Sequence, residues 1–411
     1  MHAANRTVVP WTSECTSGQT AAPPRRLLIW SDGFPPDVNG VSVFVAGLVE
    51  SLVARGFEIG VITNNDAAAG LAETEFAGAT VWQFPFCRAL ADLNLGAIQQ
   101  MLPQVADIKR RFAPDLIHLH SLRPSLMFHL RTAEAARVPT LFSLHLMPSE
   151  AMAGRDSVIG AGLRSADGLT TNSRAVKRGL VRQFPELEER AAVVPLGLRD
   201  MDAVAAPLPW DPPRLLAFGR LVEDKGFDLI LAALPAIRRQ IPDANLIIAG
   251  DGPEREPLER LVAQQQLQDA VEFTGWVDRE ALSSLINRAT AVVVPSRCEE
   301  ALGLVAIEAA IMERPVIASA TGGLVEVVQP GQTGELFTRD DPHDLAAKAI
   351  ALLSNRSVAA TWGRQARRLV QTEFSWERSI DAFIAAYIDT VISHAAAKSQ
   401  RADASGRAAA S

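Results

Sequence analysis

The residues best equipped for chemistry in this chain lie in the run Pro295-Ser296-Arg297-Cys298-Glu299-Glu300-Ala301-Leu302-Gly303-Leu304-Val305-Ala306-Ile307-Glu308. Two carboxylates, Glu300 and Glu308, stand on either side of Gly303. Ala291 to Pro295 reads as a short buried strand, and Leu304, Ile307 and Ile311 recur at helical spacing after the glycine. Glu300 is therefore predicted in the strand-to-helix loop, with Glu308 over a turn into the helix. Backbone N–H groups at the start of a helix lack intrahelical acceptors and attract an anion such as a diphosphate, which makes Gly303 and Leu304 candidate phosphate contacts. A carboxylate further along the helix can accept hydrogen bonds from ribose hydroxyls, while one in the loop can meet a transferred sugar. Either glutamate alone would read as a solvated side chain; the constellation is suited to a sugar nucleotide.

A second cluster is Gly219-Arg220-Leu221-Val222-Glu223-Asp224-Lys225-Gly226, which follows an apolar run ending at Phe218. Arg220 offers a rigid fork of donors and Lys225 a flexible point charge, and together they can neutralise a departing diphosphate. Gly250-Asp251-Gly252-Pro253-Glu254 lacks both the third glycine of a dinucleotide fingerprint and the Lys-Ser/Thr of a P-loop, so it reads as a turn after a strand. Near the N-terminus, Asp32 to Val41 forms a loop in which Asn39 and Gly40 can cap the next helix and present bare N–H groups to a phosphate. His145 stands at the end of the apolar run Thr140 to Leu144. His118 and His120 alternate on one strand face, a spacing open to a metal, but no third ligand is evident in the sequence.

The Glu300-to-Glu308 segment resembles the signature of retaining glycosyltransferases of group 1, which have the GT-B fold. The usual Pro-Phe-Gly after the first glutamate is Ala301-Leu302-Gly303 here, so the glycine is kept and the loop in front of it is altered. The resemblance implies that Arg220 and Lys225 bind the diphosphate, that His145 and Glu300 are active-site residues, and that Gly40 contacts a donor phosphate. It also implies that the backbone at Val277, within Gly275-Trp276-Val277, meets the nucleotide base. Trp276 is equally readable as packing or as a platform for that base. Gly322-Gly323 and Glu326 resemble a family loop near the diphosphate. The wording Phe-Pro-Pro-Asp-Val-Asn-Gly-Val, residues 34–41, is nearest to α-mannosyltransferases that use GDP-mannose. No cofactor or metal is expected, only a UDP- or GDP-sugar donor and an acceptor that is a glycan, a lipid-linked molecule or a small molecule.

The elements that must position these residues alternate strand and helix twice over. Strands are predicted at Leu27–Ser31, Ile59–Thr63, Thr80–Phe84, Leu116–Leu119, Thr140–Leu144, Leu169–Thr171 and Ala192–Pro195, with a helix over Val41–Ala54. A second series runs through Leu215–Phe218, Leu246–Ala249, Val271–Thr274, Ala291–Val294, Val316–Ala318 and Glu335–Phe337. Such alternation implies parallel sheets covered on both faces. The fold class expected is α/β, with two Rossmann-like, doubly wound domains facing across a cleft. The expected organisation is a disordered segment at 1–24, an acceptor-binding domain at 25–200 and a nucleotide-sugar-binding domain at 201–375. The resemblance adds a helix at 376–395 that crosses back to the first domain, before a disordered tail at 396–411. The linker is sought in Arg199 to Pro213, which holds four prolines.

A net charge of −7 argues against a nucleic-acid surface. The three cysteines Cys15, Cys87 and Cys298 are too few and too scattered for a disulfide framework or a zinc site, in keeping with a reducing cytoplasm. The first 24 residues lack the basic start and apolar run of a secretion signal, and the expected location is cytoplasmic, with room for a peripheral contact at the inner face of the membrane. Two other classes share these motifs: a GT-B-like sugar-nucleotide epimerase, which would turn over without an acceptor, and a non-catalytic sugar-nucleotide-binding protein, which would bind without turnover.

Overall fold

The computed structural model describes residues 24–35, 40–120, 123–148, 154, 157–199 and 204–409. Asn39 and the proposed disordered segment, apart from Pro24, lie outside them. The chain divides into two compact units. One runs through Thr171 and adds Leu180–Val194 and the residues from Ser379 on; the other comprises Asn172–Gly179 and Pro195–Arg378.

The first unit is built on β1 (Arg26–Ser31), β2 (Glu58–Asn64), β3 (Ala72–Phe76), β4 (Ala79–Phe84), β5 (Leu116–Leu119), β6 (Thr140–Leu144), β7 (Gly168–Thr171) and β8 (Ala191–Val193), in the order β3-β4-β2-β1-β5-β6-β7-β8. Leu27, Leu28, Ile29 and Trp30 are all fully buried, as a central strand covered on both faces requires. The reading missed β3, which pairs antiparallel with β4. Its sequence Ala-Glu-Thr-Glu-Phe is exposed and charged, the composition of a protected sheet edge rather than of a core strand. Ala77 and Gly78, both at positive φ, turn the chain between the two strands.

The second unit carries β9 (Arg214–Phe218), β10 (Asn245–Ala249), β11 (Val271–Gly275), β12 (Ala291–Val294), β13 (Val316–Ser319) and β14 (Gly334–Phe337), in the order β11-β10-β9-β12-β13-β14, with all pairs parallel. The order reverses between β9 and β12, so the helices that follow these two strands cover opposite faces of the sheet, and the carboxyl ends of the two strands form a switch point of the kind where open α/β sheets bind ligands. Both candidate clusters sit on the loops that leave these two strands.

Two boundaries differ from expectation. The units part at Val194/Pro195, ahead of the proline-rich segment, and that segment is tied to the second unit: Ala206 N donates to Asn287 Oδ1 at 2.9 Å, and the buried Arg314 donates to Ala206 O at 2.9 Å. The tail expected to be disordered from residue 396 is instead helical to Ala409, as the last part of one helix, Trp376–Ala409. Its Ala, Lys, Gln and Arg residues are strong helix formers that extend a helix already anchored by packing. That anchor is the face formed by Ile380, Phe383, Tyr387 and Thr390, buried in the first unit. The stretch Trp376–Gln400 is also long and apolar enough to cross a membrane by length and composition, the one such helix among the described residues.

Candidate active site

In the second unit the loop after β12 and the loop after β9 are bolted together. Gly226, at φ 64°, lets the β9 loop approach so closely that a Cβ there would lie 2.2 Å from the carbonyl oxygen of Pro295. Arg297 N donates to Asp224 O at 2.8 Å, and the Arg297 guanidinium grips Asp228 through two bonds of 2.6 and 2.7 Å. Burial pulls Asp228 upward, but the Arg297 hydrogen bonds and charge outweigh it and leave the carboxyl below its usual range.

This bracing brings Lys225 to Glu300. Lys225 Nζ donates to Glu300 Oε1, and Ser296 Oγ donates to the same oxygen at 2.6 Å. The Glu300 side chain is only 16% exposed, while that of Lys225 is 33% exposed. Cys298 stands nearby, and burial, then the charge of Glu300, push its thiol up.

Gly303 adopts φ 92° and begins the helix Leu304–Ile311, whose first N–H groups face the loop; Leu304 is its first residue and Glu308 lies one turn in. A double glycine supports the loop from behind. A Cβ on Gly322 would lie 2.2 Å from Glu300 O, and Gly323 N donates to that oxygen at 2.6 Å. Gly322-Gly323 therefore shape the backbone of Glu300. Glu326 does something else: it accepts from Arg174 N at 3.0 Å and Ala175 N at 2.8 Å, capping the helix Arg174–Gln183.

Arg220 is exposed at the tip of the β9 loop, between two pinned neighbours. Gly219 N donates to Ala249 O, and Leu221 N to Asp251 O. Gly250 and Gly252 make this possible, since a Cβ on either would strike the carbonyl oxygen of Gly219 or Leu221. Their task is close backbone packing beneath Arg220. Trp276 is 71% exposed, which removes the packing reading, and Val277 follows it beyond β11.

In the first unit, Gly40 begins the helix Gly40–Ala54. His145, just past β6, meets His118 and His120 from the neighbouring β5 and its end. His120 Nδ1 lies 2.7 Å from His145 Nε2, and His120 Nε2 lies 3.2 Å from His118 Nδ1. Burial lowers His145 to about 4, and burial with mutual repulsion lowers the other two, so all three are neutral near pH 7. The sequence reading saw the pair and His145 separately. Adjacency of β5 and β6 is the signal that joins them, and the three rings spend nitrogens on one another. Among the described residues no group of three or more His, Cys, Asp or Glu side chains is arranged to hold a metal ion.

Two family descriptions account for most of the chain: "Glycosyl transferases group 1" matches residues 201–369, and "Glycosyltransferase Family 4" matches residues 38–200. Glycogen synthase of Mycobacterium tuberculosis is 29% identical over 402 residues, spanning 88% of this chain and 94% of that protein. The GDP-mannose-dependent alpha-(1-6)-phosphatidylinositol monomannoside mannosyltransferase of the same organism is 36% identical over 172 residues, 40% of this chain and 44% of that protein. In fold, sucrose-phosphate synthase from Thermosynechococcus elongatus superposes with a TM-score of 0.72 at 24% identity, covering 91% of this chain and all of that one. Anabaena HepE in complex with UDP-glucose gives 0.70 at 20% identity, covering 89% and 99%.

Proposed function

Because the chain belongs to the group 1 glycosyltransferases and has their GT-B fold, we propose that it moves a hexose from a nucleoside-diphosphate sugar to an acceptor hydroxyl with retention of anomeric configuration and without a divalent metal. The observation that carries this reading is Glu300 held by Lys225 and Ser296 in front of the helix started by Gly303.

Breaking the sugar–phosphate bond leaves negative charge on the diphosphate. Arg220, Lys225 and the N–H groups at Gly303 and Leu304 receive it in this reading, and fixed donors and charges act with little reorganisation. These cations take over the task a metal would otherwise perform. Glu308 accepts from the ribose and the backbone of Val277 meets the base. Glu300 hydrogen-bonds the sugar being transferred. Glu300 is engaged by Lys225 and Ser296, and burial favours the thiol form of Cys298. The acceptor oxygen then attacks C1 on the face the phosphate leaves. The C1–O(phosphate) bond breaks as the C1–O(acceptor) bond forms, and the acceptor proton passes to a phosphate oxygen.

A relative named for GDP-mannose and a fold neighbour solved with UDP-glucose set the first donors to try. A thermal-shift screen of UDP-, GDP- and ADP-sugars should single out one base, since a ligand at a hundred times its dissociation constant adds about 2.7 kcal/mol of stability. NMR of the product from that donor, with a panel of acceptor alcohols, reads the anomeric configuration. An inverted product, or epimerised donor without acceptor, rejects the proposal.

A further inference from the structure

One side chain reaches three of the loops at the carboxyl edge of the second sheet. Arg297, in the loop after β12, donates from Nη1 and Nη2 to the two carboxylate oxygens of Asp228 and from Nη1 to Glu223 O at 3.3 Å, while its Nε lies 3.0 Å from Asp340 Oδ1 in the loop after β14. The backbone N–H groups of Arg297 and Cys298 both donate to Asp224 O, at 2.8 and 3.3 Å. Residues 223 and 224 precede Lys225 and residue 228 follows it, so Arg297 holds the chain on both sides of the lysine. Ser296, the residue before Arg297, donates to the same Glu300 oxygen that Lys225 meets.

The Lys225–Glu300 pair needs such support. A lysine ammonium is a point charge on a flexible stem, and an ion pair whose side chains are 33% and 16% exposed still competes with water. Ordering that stem costs rotamer entropy, and a loop free to shift would add backbone entropy to the cost. A guanidinium is different: its donors are coplanar and fixed, and two of them meet Asp228 side by side. The rigid cation therefore sets the backbone from which the flexible cation reaches Glu300.

We infer that Arg297 is a positioning residue: through Asp228, Glu223 and Asp224 it fixes the loop after β9 so that Lys225 stays on Glu300. The consequence for turnover rests on the function proposed above; the placement of Lys225 does not.

The test uses the full chain and two variants. Arg297→Met keeps an unbranched stem and removes the donors, and Asp228→Asn leaves the loop after β12 untouched. Brief acetylation with acetic anhydride, read by mass spectrometry, gives the reactivity of the Lys225 amine relative to Lys348, whose pairing with Glu335 has nearly the same exposure, 35% and 17%. That ratio is expected to rise at least about threefold in both variants. With a donor in hand, Arg297→Met lowers kcat at least about tenfold, as displacement of a group at the reacting centre implies. In a Lys225→Ala background the same substitution costs less than about twofold, because its effect runs through the lysine. A role in stability alone would leave the labelling ratio unmoved and multiply the two losses in kcat. An unchanged ratio in either variant, or independent losses in kcat, overturns the inference. Should Arg297→Met fail to fold, Asp228→Asn carries both measurements. Lack of transfer with every donor leaves the labelling interpretable and counts against the proposed function alone.

Discussion

A Cβ added to Gly322 would sit 2.2 Å from the carbonyl oxygen of Glu300, so the backbone of the proposed sugar-binding glutamate rests directly on a glycine from the loop after β13. Gly322 is also at φ 52°, where a side chain is strained. Gly322→Ala should therefore push Glu300 out of place and lower kcat at least about tenfold, since small misplacements at a reacting centre are costly. Gly331 is the control, with φ 74° and nothing within 4 Å. Gly331→Ala should cost about 1 kcal/mol of stability and leave kcat alone. Melting curves and steady-state rates for both variants decide it; equal kcat in the two removes the supporting role of Gly322.

Glu300 and Glu308 should fail differently, because one lies in the loop before the helix and the other one turn along it. Glu308→Ala should weaken binding of the sugar-free nucleoside diphosphate about tenfold or more, as loss of a charge-assisted hydrogen bond implies. Glu300→Ala should keep that affinity and depress turnover. Calorimetry with UDP or GDP, paired with rates, separates them, and equal loss of nucleotide binding would show that the division of labour is wrong.

Arg220→Ala and Lys225→Ala should each reduce kcat by about a hundredfold, the usual loss when a group that stabilises developing charge is removed. The two differ in a second respect. Lys225 is also the partner of Glu300, so Lys225→Ala should perturb the loop after β12, whereas Arg220 stands exposed. Hydrogen exchange of residues 296–303 should rise in Lys225→Ala alone. Near-wild-type rates in both would take the diphosphate away from these residues.

Removing divalent ions with EDTA should leave the rate unchanged if Arg220, Lys225 and the helix start supply the positive charge. A rate that collapses and returns with Mg²⁺ or Mn²⁺ would assign that task to a metal.

Lys109 gives the first unit a pH dependence. It is fully buried, with Nζ 3.1 Å from His129 O and 3.3 Å from His129 Nδ1, and burial lowers it from 10.5 to about 7. Below pH 7 the ammonium is charged in folded and unfolded chains alike and the folded state bears the full burial cost. Between pH 7 and 10.5 only the unfolded chain holds the proton, so stability from this group rises with pH, by up to about 5 kcal/mol. Lys109→Met should flatten that rise. Urea midpoints at pH 7 and pH 10 for both proteins measure it, and parallel changes in the two would exclude Lys109 as the source.

Much of this architecture was legible in the sequence because it is written in local patterns. Runs such as Leu27–Trp30 and Ala291–Val294 are apolar without alternation, as strands buried on both faces must be, and Gly303 followed by helical spacing announces a helix start wherever it falls. Hence the two doubly wound units and the loops bearing Arg220, Lys225, Glu300 and His145 could be read from residue order alone. Local patterns fail where surroundings decide. The charged β3 is a strand only because β4 lies beside it, and the last residues are helical because Phe383 and Tyr387 anchor the helix upstream. Proximity across the sheet is equally invisible in one dimension. Lys225 and Glu300 are 75 residues apart, and His118 and Tyr387 are 269 apart. The residue types told of a site for a sugar nucleotide; only the strand order set Glu300 on Gly322, joined three histidines into one chain and sent Glu326 to cap a helix, because side-chain contacts depend on which strands are neighbours and on where each loop turns.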